Sequence, residues 1–383
     1  MTHVFIVGSK GIPAQYGGFE TFVENLTAGK QSPEIMYHVS CMNNDEKHFE
    51  HNGADCFNVR VPLPGAPGRI FHVGLVLTQV EEWTKSHPQE KAVVCILGCR
   101  IGPLLIPHAH KLHKLGAKVY CNPDGLEWKR SKWSVPAKMF LRYCEKCLVE
   151  NSDLAICDSV NIEKYIKDTY GERVKDTTFI AYGAYTDRSQ CSEEKLQEWY
   201  HQFNIKRESY YLIVGRFVPE NNYETMITEF MRSKTTKDLV IITNVEHNKF
   251  YEQLREKTGF EKDSRIKFVG TVYDQDLLKK IREEAYGYLH GHEVGGTNPS
   301  LLEALASTRL NLLLGVGFNK EVGEQSALYW SKELGNLAAL IEKADALDND
   351  TADQLDKMST ERVRSAYSWE KIVKEYENVF LRK

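Results

Sequence analysis

The chain has 383 residues, 42% of them apolar and 27% charged, with 49 basic against 53 acidic side chains and a net charge of −4. This length suggests two domains, each able to bury its own core, and the near-balanced charge excludes a protein whose main business is bulk nucleic-acid binding. No apolar run approaches the ~18 residues of a membrane span, the first residues do not read as a signal peptide, and nine scattered cysteines read as reduced thiols rather than a disulfide framework.

In chain order, short β-branched runs at 3–7, 37–41, 56–61, 92–97, 118–121 and 154–157, with a weaker one at 179–181, predict strands. The amphipathic stretches between them, 19–28, 68–84, 104–115, 138–149 and 162–170, predict helices. Strand and helix in alternation imply βαβ units and a parallel sheet. After a polar segment at 183–190, read as the linker, the pattern restarts. Strands are predicted at 210–214, 238–243, 266–269, 286–289 and 310–314, and helices at 222–231, 249–258, 275–284 and 299–306. The expectation is two doubly wound α/β domains in series, with parallel sheets facing across a cleft. Residues 342–361 are acid-rich and predict a solvated surface helix. The stretch 367–381 predicts an amphipathic helix whose apolar face, including Trp369, Ile372 and Tyr376, must dock.

Four strand ends carry chemistry. The first strand runs into Gly8 and then Gly11, Gly17 and Gly18. Glycines before a helix let backbone N–H groups approach a phosphate, which makes Gly17 and Gly18 candidate phosphate contacts; the spacing is not that of a nicotinamide fingerprint. The strand 210–214 ends in Gly215-Arg216. Ligands bind at this edge of an open α/β sheet, and Arg216 can hold a diphosphate bidentately, with Glu220 near enough to meet a sugar or to pair with Arg216 on the surface. The strand 286–289 leads through His290 to Gly295-Gly296-Thr297-Asn298-Pro299. There the amides of Gly296, Thr297 and Asn298 would face an anion at a helix start, and Glu303, one turn in, could accept from a ribose diol. The strand 118–121 ends in Asn122-Pro123-Asp124-Gly125-Leu126-Glu127. Asp124 and Glu127 are candidates for general-base or hydroxyl-positioning work, though Asp-Gly is also a common turn. Asp158, before Ser159, sits at a fifth strand end and reads as a site residue or part of a helix cap.

From Trp128 to Leu148 six basic residues, among them Lys129 and Arg130, alternate with aromatic and aliphatic ones. Such a segment suits an anionic membrane surface, an acceptor's diphosphate or a merely solvated face. Cys144 and Cys147 lie inside a helical pattern, His108, His110 and His113 lack a matching carboxylate set, and Asp348-Asn349-Asp350 has no strand before it. These are read as neither redox nor metal sites.

Taken together, Gly17-Gly18, Gly215-Arg216, Gly295 to Glu303 and Ser368-Trp369-Glu370 resemble the GT-B glycosyltransferases of family 4 over essentially the whole length. Longer stretches, Gly8 to Ala14, Tyr16 to Phe22, Cys99 to Pro103, Asn122 to Gly125 and Gly295 to Ser300, are similar to the L-rhamnosyltransferases of Gram-positive cell-wall and capsule synthesis. The resemblance implies an acceptor-binding domain at 1–185, with a terminal helix 366–383 crossing back to it, and a nucleotide-sugar-binding domain at 190–365. It implies retaining transfer of L-rhamnose from dTDP-L-rhamnose to a diphospholipid-linked glucose or N-acetylglucosamine, without metal or other cofactor, at the inner face of the cell membrane. Arg216, with Glu220 and Asp124, would be catalytic. Gly17, Gly18, Asn221, Gly296, Thr297, Asn298 and Glu303 would join Arg216 on the donor. Glu127, Lys129, Arg130 and Asp158 would meet the acceptor. Two positions depart from the family's pattern: Gly295 stands where a glutamate is common, with Glu293 two residues earlier, and Asn221 stands where a lysine is common. The alternatives are a GT-B sugar-nucleotide epimerase and a sugar-nucleotide-binding protein without catalysis.

Overall fold

The computed structural model describes residues 1–14, 17–43, 45, 47–61, 65–246 and 249–382. The chain divides into two compact units, Met1–Gly183 with Trp369–Lys383, and Ala184–Ser368.

The first unit contains β1 (Thr2–Val7), α1 (Gly18–Ala28), β2 (Ile35–Cys41), β3 (His48–His51), β4 (Ala54–Asn58), α2 (Gly65–Ser86) and β5 (Lys91–Leu97). It continues with α3 (Leu105–Lys114), β6 (Lys118–Asn122), α4 (Val135–Glu150), β7 (Leu154–Cys157), α5 (Val160–Tyr170) and β8 (Thr177–Phe179). Its sheet runs β3-β4-β2-β1-β5-β6-β7-β8, parallel throughout except for the antiparallel β3–β4 edge. The continuous apolar runs of β1, β5 and β7 are buried on both faces, as a parallel sheet covered by helices requires. Val76, Leu77 and Val80 of α2, Leu105 and Leu112 of α3, and Ile162 and Ile166 of α5 cover one face with a single cluster. These positions recur at three- and four-residue spacing, the helical period.

The second unit contains α6 (Glu193–Phe203), β9 (Tyr210–Val214), α7 (Tyr223–Arg232), β10 (Asp238–Ile242), α8 (Lys249–Thr258), β11 (Ile266–Phe268) and α9 (Gln275–Glu283). Then follow β12 (Gly287–His290), α10 (Pro299–Ser307), β13 (Asn311–Leu314), α11 (Gly317–Gly323), β14 (Leu328–Trp330), α12 (Asn336–Asp345) and α13 (Asn349–Ala366). Its sheet is parallel in the order β11-β10-β9-β12-β13-β14.

The last helix, α14 (Trp369–Phe380), belongs to the first unit. Its apolar face is buried, with Tyr376 tilted on Phe22 of α1 at 4.9 Å between ring centres. Each such side chain contributes roughly 1.5–3 kcal/mol. Glu377 fixes the docking by accepting from the Gln31 and Ser32 amides at 2.8 and 3.0 Å.

The structure departs from the sequence reading at several elements. β3 and β14 were not predicted, being short and only partly buried. The helix α6 was also missed, although Ser192 caps it, accepting from the Lys195 amide at 3.3 Å. The single acid-rich helix expected at 342–361 is two: α12 ends at Asp345, and α13 starts afresh after Asp348, which accepts from the Thr351 amide at 2.7 Å. Among the described residues no helix is long and apolar enough to cross a membrane.

Candidate functional site

In the second unit β9 and β12 are neighbours, so the loops that leave their C-terminal ends lie side by side. Hydrogen bonds tie the two loops together. The Asn222 side chain donates to the Gly291 carbonyl at 2.8 Å, the Glu293 amide donates to the Glu220 carbonyl at 3.2 Å, and Asn221 donates to the Arg216 carbonyl at 2.8 Å. Below them the Tyr288 and Ser300 hydroxyls both donate to the Val214 carbonyl, at 3.0 and 3.1 Å. Asn221 is thus a buried brace of the loop carrying Arg216. The Arg216 guanidinium is exposed and pairs with no carboxylate among the described residues.

The second loop ends at Asn298, whose side chain caps α10 by accepting from the Leu301 amide at 3.3 Å, with Pro299 in the first turn. Thr297 is buried. The Gly296 and Asn298 amides meet no acceptor among the described residues. Open amides leading into a helix start, on a loop hydrogen-bonded to one that carries an exposed guanidinium, are the groups that bind an anion.

Glu303 lies one turn into α10, partly exposed, with Oε2 2.5 Å from Nη2 of Arg282 on α9. Arg282 is buried. The sequence reading gave it no role, yet it carries a signal: it follows Leu278 by four residues and so shares the apolar face of α9 with Leu277, Leu278 and Ile281. Glu293 pairs with Lys332 beyond β14 and accepts from Asn222 at 3.3 Å. It borders a pocket of about 360 Å³ whose other walls include Gly315, Lys320, Trp330 and Asn336. His290, fully buried at the end of β12, stacks on His292 at 4.9 Å, and burial pushes its imidazole down to about 3.

The first unit treats its strand ends differently. The Lys10 and Ala14 amides of the β1 loop donate to carboxylates of α1, Glu20 and Glu24, each at 2.8 Å. Gly17 has φ 139°, and a Cβ there would collide with the Glu20 carboxylate. Gly18 opens α1, which has no side-chain cap. Gln15 and Tyr16 lie outside the described residues.

At the end of β6 the Asp124 amide donates to the Asn122 side chain at 2.9 Å and the Gly125 amide to Asp124 Oδ1 at 2.8 Å, so the segment is a turn as well as a candidate site. Asp124 and Leu126 have φ of 65° and 51°, left-handed conformations that cost non-glycine residues of order 1–3 kcal/mol each. Glu127, buried, is held by Arg130 Nε at 2.5 Å, Lys132 Nζ at 2.9 Å, Trp133 Nε1 at 3.2 Å and Arg100 Nη2 at 3.3 Å. Burial alone would raise its pKa, but Arg130, Lys132 and Arg100 together hold it below the ordinary value. Arg130 also reaches Asp124 at 3.9 Å. Lys129 is exposed, its ammonium 5.4 Å from the Trp128 ring centre. Asp158 is buried, and the cap of α5 is its neighbour Ser159, which accepts from the Asn161 amide at 3.1 Å. Arg100, Lys132 and Trp133 are the partners that sequence reasoning did not connect to this cluster.

Residues 1–185 match a family model described as a domain of unknown function, DUF1972. No curated protein sequence matches the chain. Among solved structures, a sucrose-phosphate synthase from Thermosynechococcus elongatus is similar with a TM-score of 0.77 at 15% identity, covering 99% of this chain and 98% of that one. HepE of Anabaena, solved in complex with UDP, gives 0.72 at 12% identity, covering 99% of each chain. A glycosyltransferase from Rickettsia africae gives 0.73 at 13%, covering 99% of this chain and 97% of that one. The chain has the GT-B glycosyltransferase fold, built from two parallel-sheet α/β domains.

Proposed function

We propose that the protein is a glycosyltransferase that moves L-rhamnose from dTDP-L-rhamnose to a diphospholipid-linked glucose or N-acetylglucosamine, with retention at the anomeric carbon. The observation that carries the reading is the candidate anion site of the second unit: Arg216, which pairs with no carboxylate among the described residues, on a loop hydrogen-bonded to the one whose Gly296 and Asn298 amides, just before α10, meet no acceptor there. A nucleotide diphosphate fills it, with Glu303 on the ribose and Arg282 holding the Glu303 carboxylate in place. The structural neighbours include HepE solved with UDP and a trehalose-6-phosphate protein from E. coli bound with UDP-2-fluoro glucose, which supports a nucleotide-sugar donor. The choice of a deoxythymidine donor and of rhamnose rests on the sequence motifs alone.

As the bond between the anomeric carbon and the β-phosphate oxygen breaks, its electron pair stays on that oxygen. The acceptor hydroxyl forms the new bond to the same carbon, and its proton passes to the departing phosphate. Arg216 and the Gly296 and Asn298 amides stabilise the growing negative charge, the kind of preorganised electrostatics that dominates many enzymes. Asp124 and Glu220 orient hydroxyls. Glu127 holds Arg130, Lys132 and Arg100 as a basic surface for the acceptor's diphosphate, joined by Lys129; Asp158 lies at the neighbouring strand end. No step uses a metal, so a chelator leaves the rate unchanged.

The test is transfer of radiolabelled sugar from dTDP-rhamnose to each lipid acceptor, with UDP-sugars as competitors. Transfer to neither lipid from any donor overturns the reading. Isomerisation of donor without acceptor makes the protein an epimerase, and donor binding with no turnover makes it a binding protein. Arg216→Ala lowers kcat with saturating donor by about 100- to 1000-fold; an unchanged kcat removes Arg216 from the chemistry.

A further inference from the structure

Fourteen large apolar side chains are exposed among the described residues, and eight of them sit on three neighbouring elements of the first unit. These are Phe71 and Leu75 on α2, Leu104 and Ile106 at the start of α3, and Val135, Met139, Phe140 and Tyr143 on α4. The second unit contributes only Tyr185, Tyr273 and Leu334. The three elements are in contact: α2 packs on α3 and on the turn Cys99–Leu104, which packs on α4. That last approach is close enough that a Cβ on Gly102 would lie 2.5 Å from the Cys144 sulfur.

The helix α4 is apolar on both faces. Leu141, Cys144 and Leu148 point inward at helical spacing and are buried. Met139, at 70% exposure, and Phe140 and Tyr143, at 49% and 50%, follow the same spacing on the outside. A solvent-facing helix normally carries charge there instead. Cations accompany these side chains. Arg69 on α2, Lys129 before α4, and Lys138, Arg142 and Lys146 on α4 form no ion pair within 4 Å among the described residues. The acids of α4 are already engaged: Glu145 is buried and accepts from the Tyr165 and Tyr170 hydroxyls, each at 2.6 Å, and Glu150 pairs with Arg173 at 2.8 Å.

We propose that the outer faces of α2, α3 and α4 form a bilayer-docking surface for anionic phospholipid. Met139, Phe140, Tyr143, Phe71 and Leu75 enter the boundary between headgroups and acyl chains, and the unpaired cations meet the headgroups. Charge complementarity selects this occupant: a second copy of the chain would set like charges against like. The inference deepens the proposed function and rests on its lipid-linked acceptor, because the Glu127 cluster lies in the short turn Glu127–Lys129 that packs on α4. Lipid docking would bring an acceptor diphosphate at the headgroup level to that cluster.

The test is flotation of the purified protein with phosphatidylcholine vesicles, with or without about a third phosphatidylglycerol, in low and high salt. Neither donor nor acceptor is present, so the result stands apart from catalysis. The protein floats with the anionic vesicles, and salt reduces the bound fraction. Met139→Ser with Phe140→Ser and Tyr143→Ser lowers partitioning at least about tenfold, and Lys138→Glu with Arg142→Glu does so by a similar factor, since each cation near an anionic leaflet adds about fivefold. Circular dichroism and the melting temperature confirm that both variants fold. Transfer to a short-chain soluble acceptor analogue is unchanged by either variant, while transfer to acceptor embedded in vesicles falls. Equal binding of wild type and variants, or no binding to anionic vesicles, overturns the inference. So does a dimer in sedimentation equilibrium that the triple variant dissociates, which would give the face to a second copy. Loss of transfer to the soluble analogue by the wild type would instead count against the proposed function and leave vesicle binding to stand or fall by itself.

Discussion

Both units bring a glycine-containing loop and a helix start to the C-terminal edge of a parallel sheet, yet they balance charge there in opposite ways. In the first, the third residue after the N-cap Gly17 is Glu20, whose carboxylate folds back to the Lys10 amide. In the second, the third residue after the N-cap Asn298 is Leu301, which has no charge to offer, and Arg216 on the neighbouring loop pairs with no carboxylate among the described residues. The doubly wound fold places an anion site at both edges. A carboxylate one turn into α1 takes up an amide of the loop before it, and Leu301, at the matching place in α10, leaves the amides of its own loop to other acceptors.

The largest effect expected from this contrast is on stability. Glu127→Gln in the first unit keeps the shape but leaves Arg100, Arg130 and Lys132 without their shared carboxylate. Breaking a buried ionic cluster from one side costs about 3 kcal/mol here, the low end of the usual range because Arg100 and Lys132 are partly exposed to water, and is read as a lower urea midpoint. Glu293→Gln, which removes the half-exposed pair with Lys332 in the second unit, costs no more than about 1 kcal/mol. Equal losses would show that the first unit's carboxylates are not structurally committed and would break the comparison.

A smaller effect follows from pH. The only cause of the low His290 value, about 3, is burial. An unfolded histidine titrates near 6.5, so the unfolded chain binds the extra proton first as pH falls. The stability that neutral His290 contributes is complete above about 6.5 and is lost as pH falls toward 3. Between pH 7.5 and 4.5 the wild type should lose about 2–3 kcal/mol more than His290→Phe, measured by urea unfolding at the two values. Parallel pH dependence in the two proteins would mean that His290 is not held neutral at the end of β12.

The fold class was legible because period-two and period-3.6 patterns alternate along most of the chain, and buried parallel strands such as Tyr210–Val214 read as unbroken apolar runs. The β3 and β14 edges were not, because three or four partly exposed residues carry too little pattern. The loop into α10 was legible from local chemistry, since glycines followed by Asn298-Pro299 spell a capped helix start. What sequence could not supply was pairing at a distance. Nothing in the vicinity of Glu127 announces Arg100, 27 residues earlier, as its partner. Nothing near Glu303 announces Arg282, which only the packing of α9 against α10 brings to it.

That pairing gives a more modest kinetic prediction. Arg282→Met frees the Glu303 carboxylate without touching the diphosphate contacts. The donor KM rises about tenfold, or about 1.4 kcal/mol, while kcat stays within about twofold, and Arg282→Lys restores part of the loss. A fall in kcat with KM unchanged would place Arg282 in the chemistry instead of in donor positioning.

The smallest expected effects ask whether the two units are separable in stability as they are in charge. Ser159 caps α5 in the first unit by accepting from Asn161, and Asp348 caps α13 in the second by accepting from Thr351. Each cap accepts from a helix-terminal amide, so alanine at either position costs about 1 kcal/mol. If the units unfold as separate cooperative bodies, Ser159→Ala lowers only one calorimetric transition and Asp348→Ala only the other. The terminal helix argues for a further asymmetry. It joins the first unit from beyond the second, so the chain leaving α13 enters α14 at once, through Tyr367 and Ser368. Fraying at the end of α13 therefore pulls on Trp369, which packs against Gly183. Asp348→Ala, acting at the far end of an 18-residue helix, is too remote to fray that junction. A shift of both transitions by Asp348→Ala would show that α13 and α14 melt as one element and that the two units share a single cooperative fold.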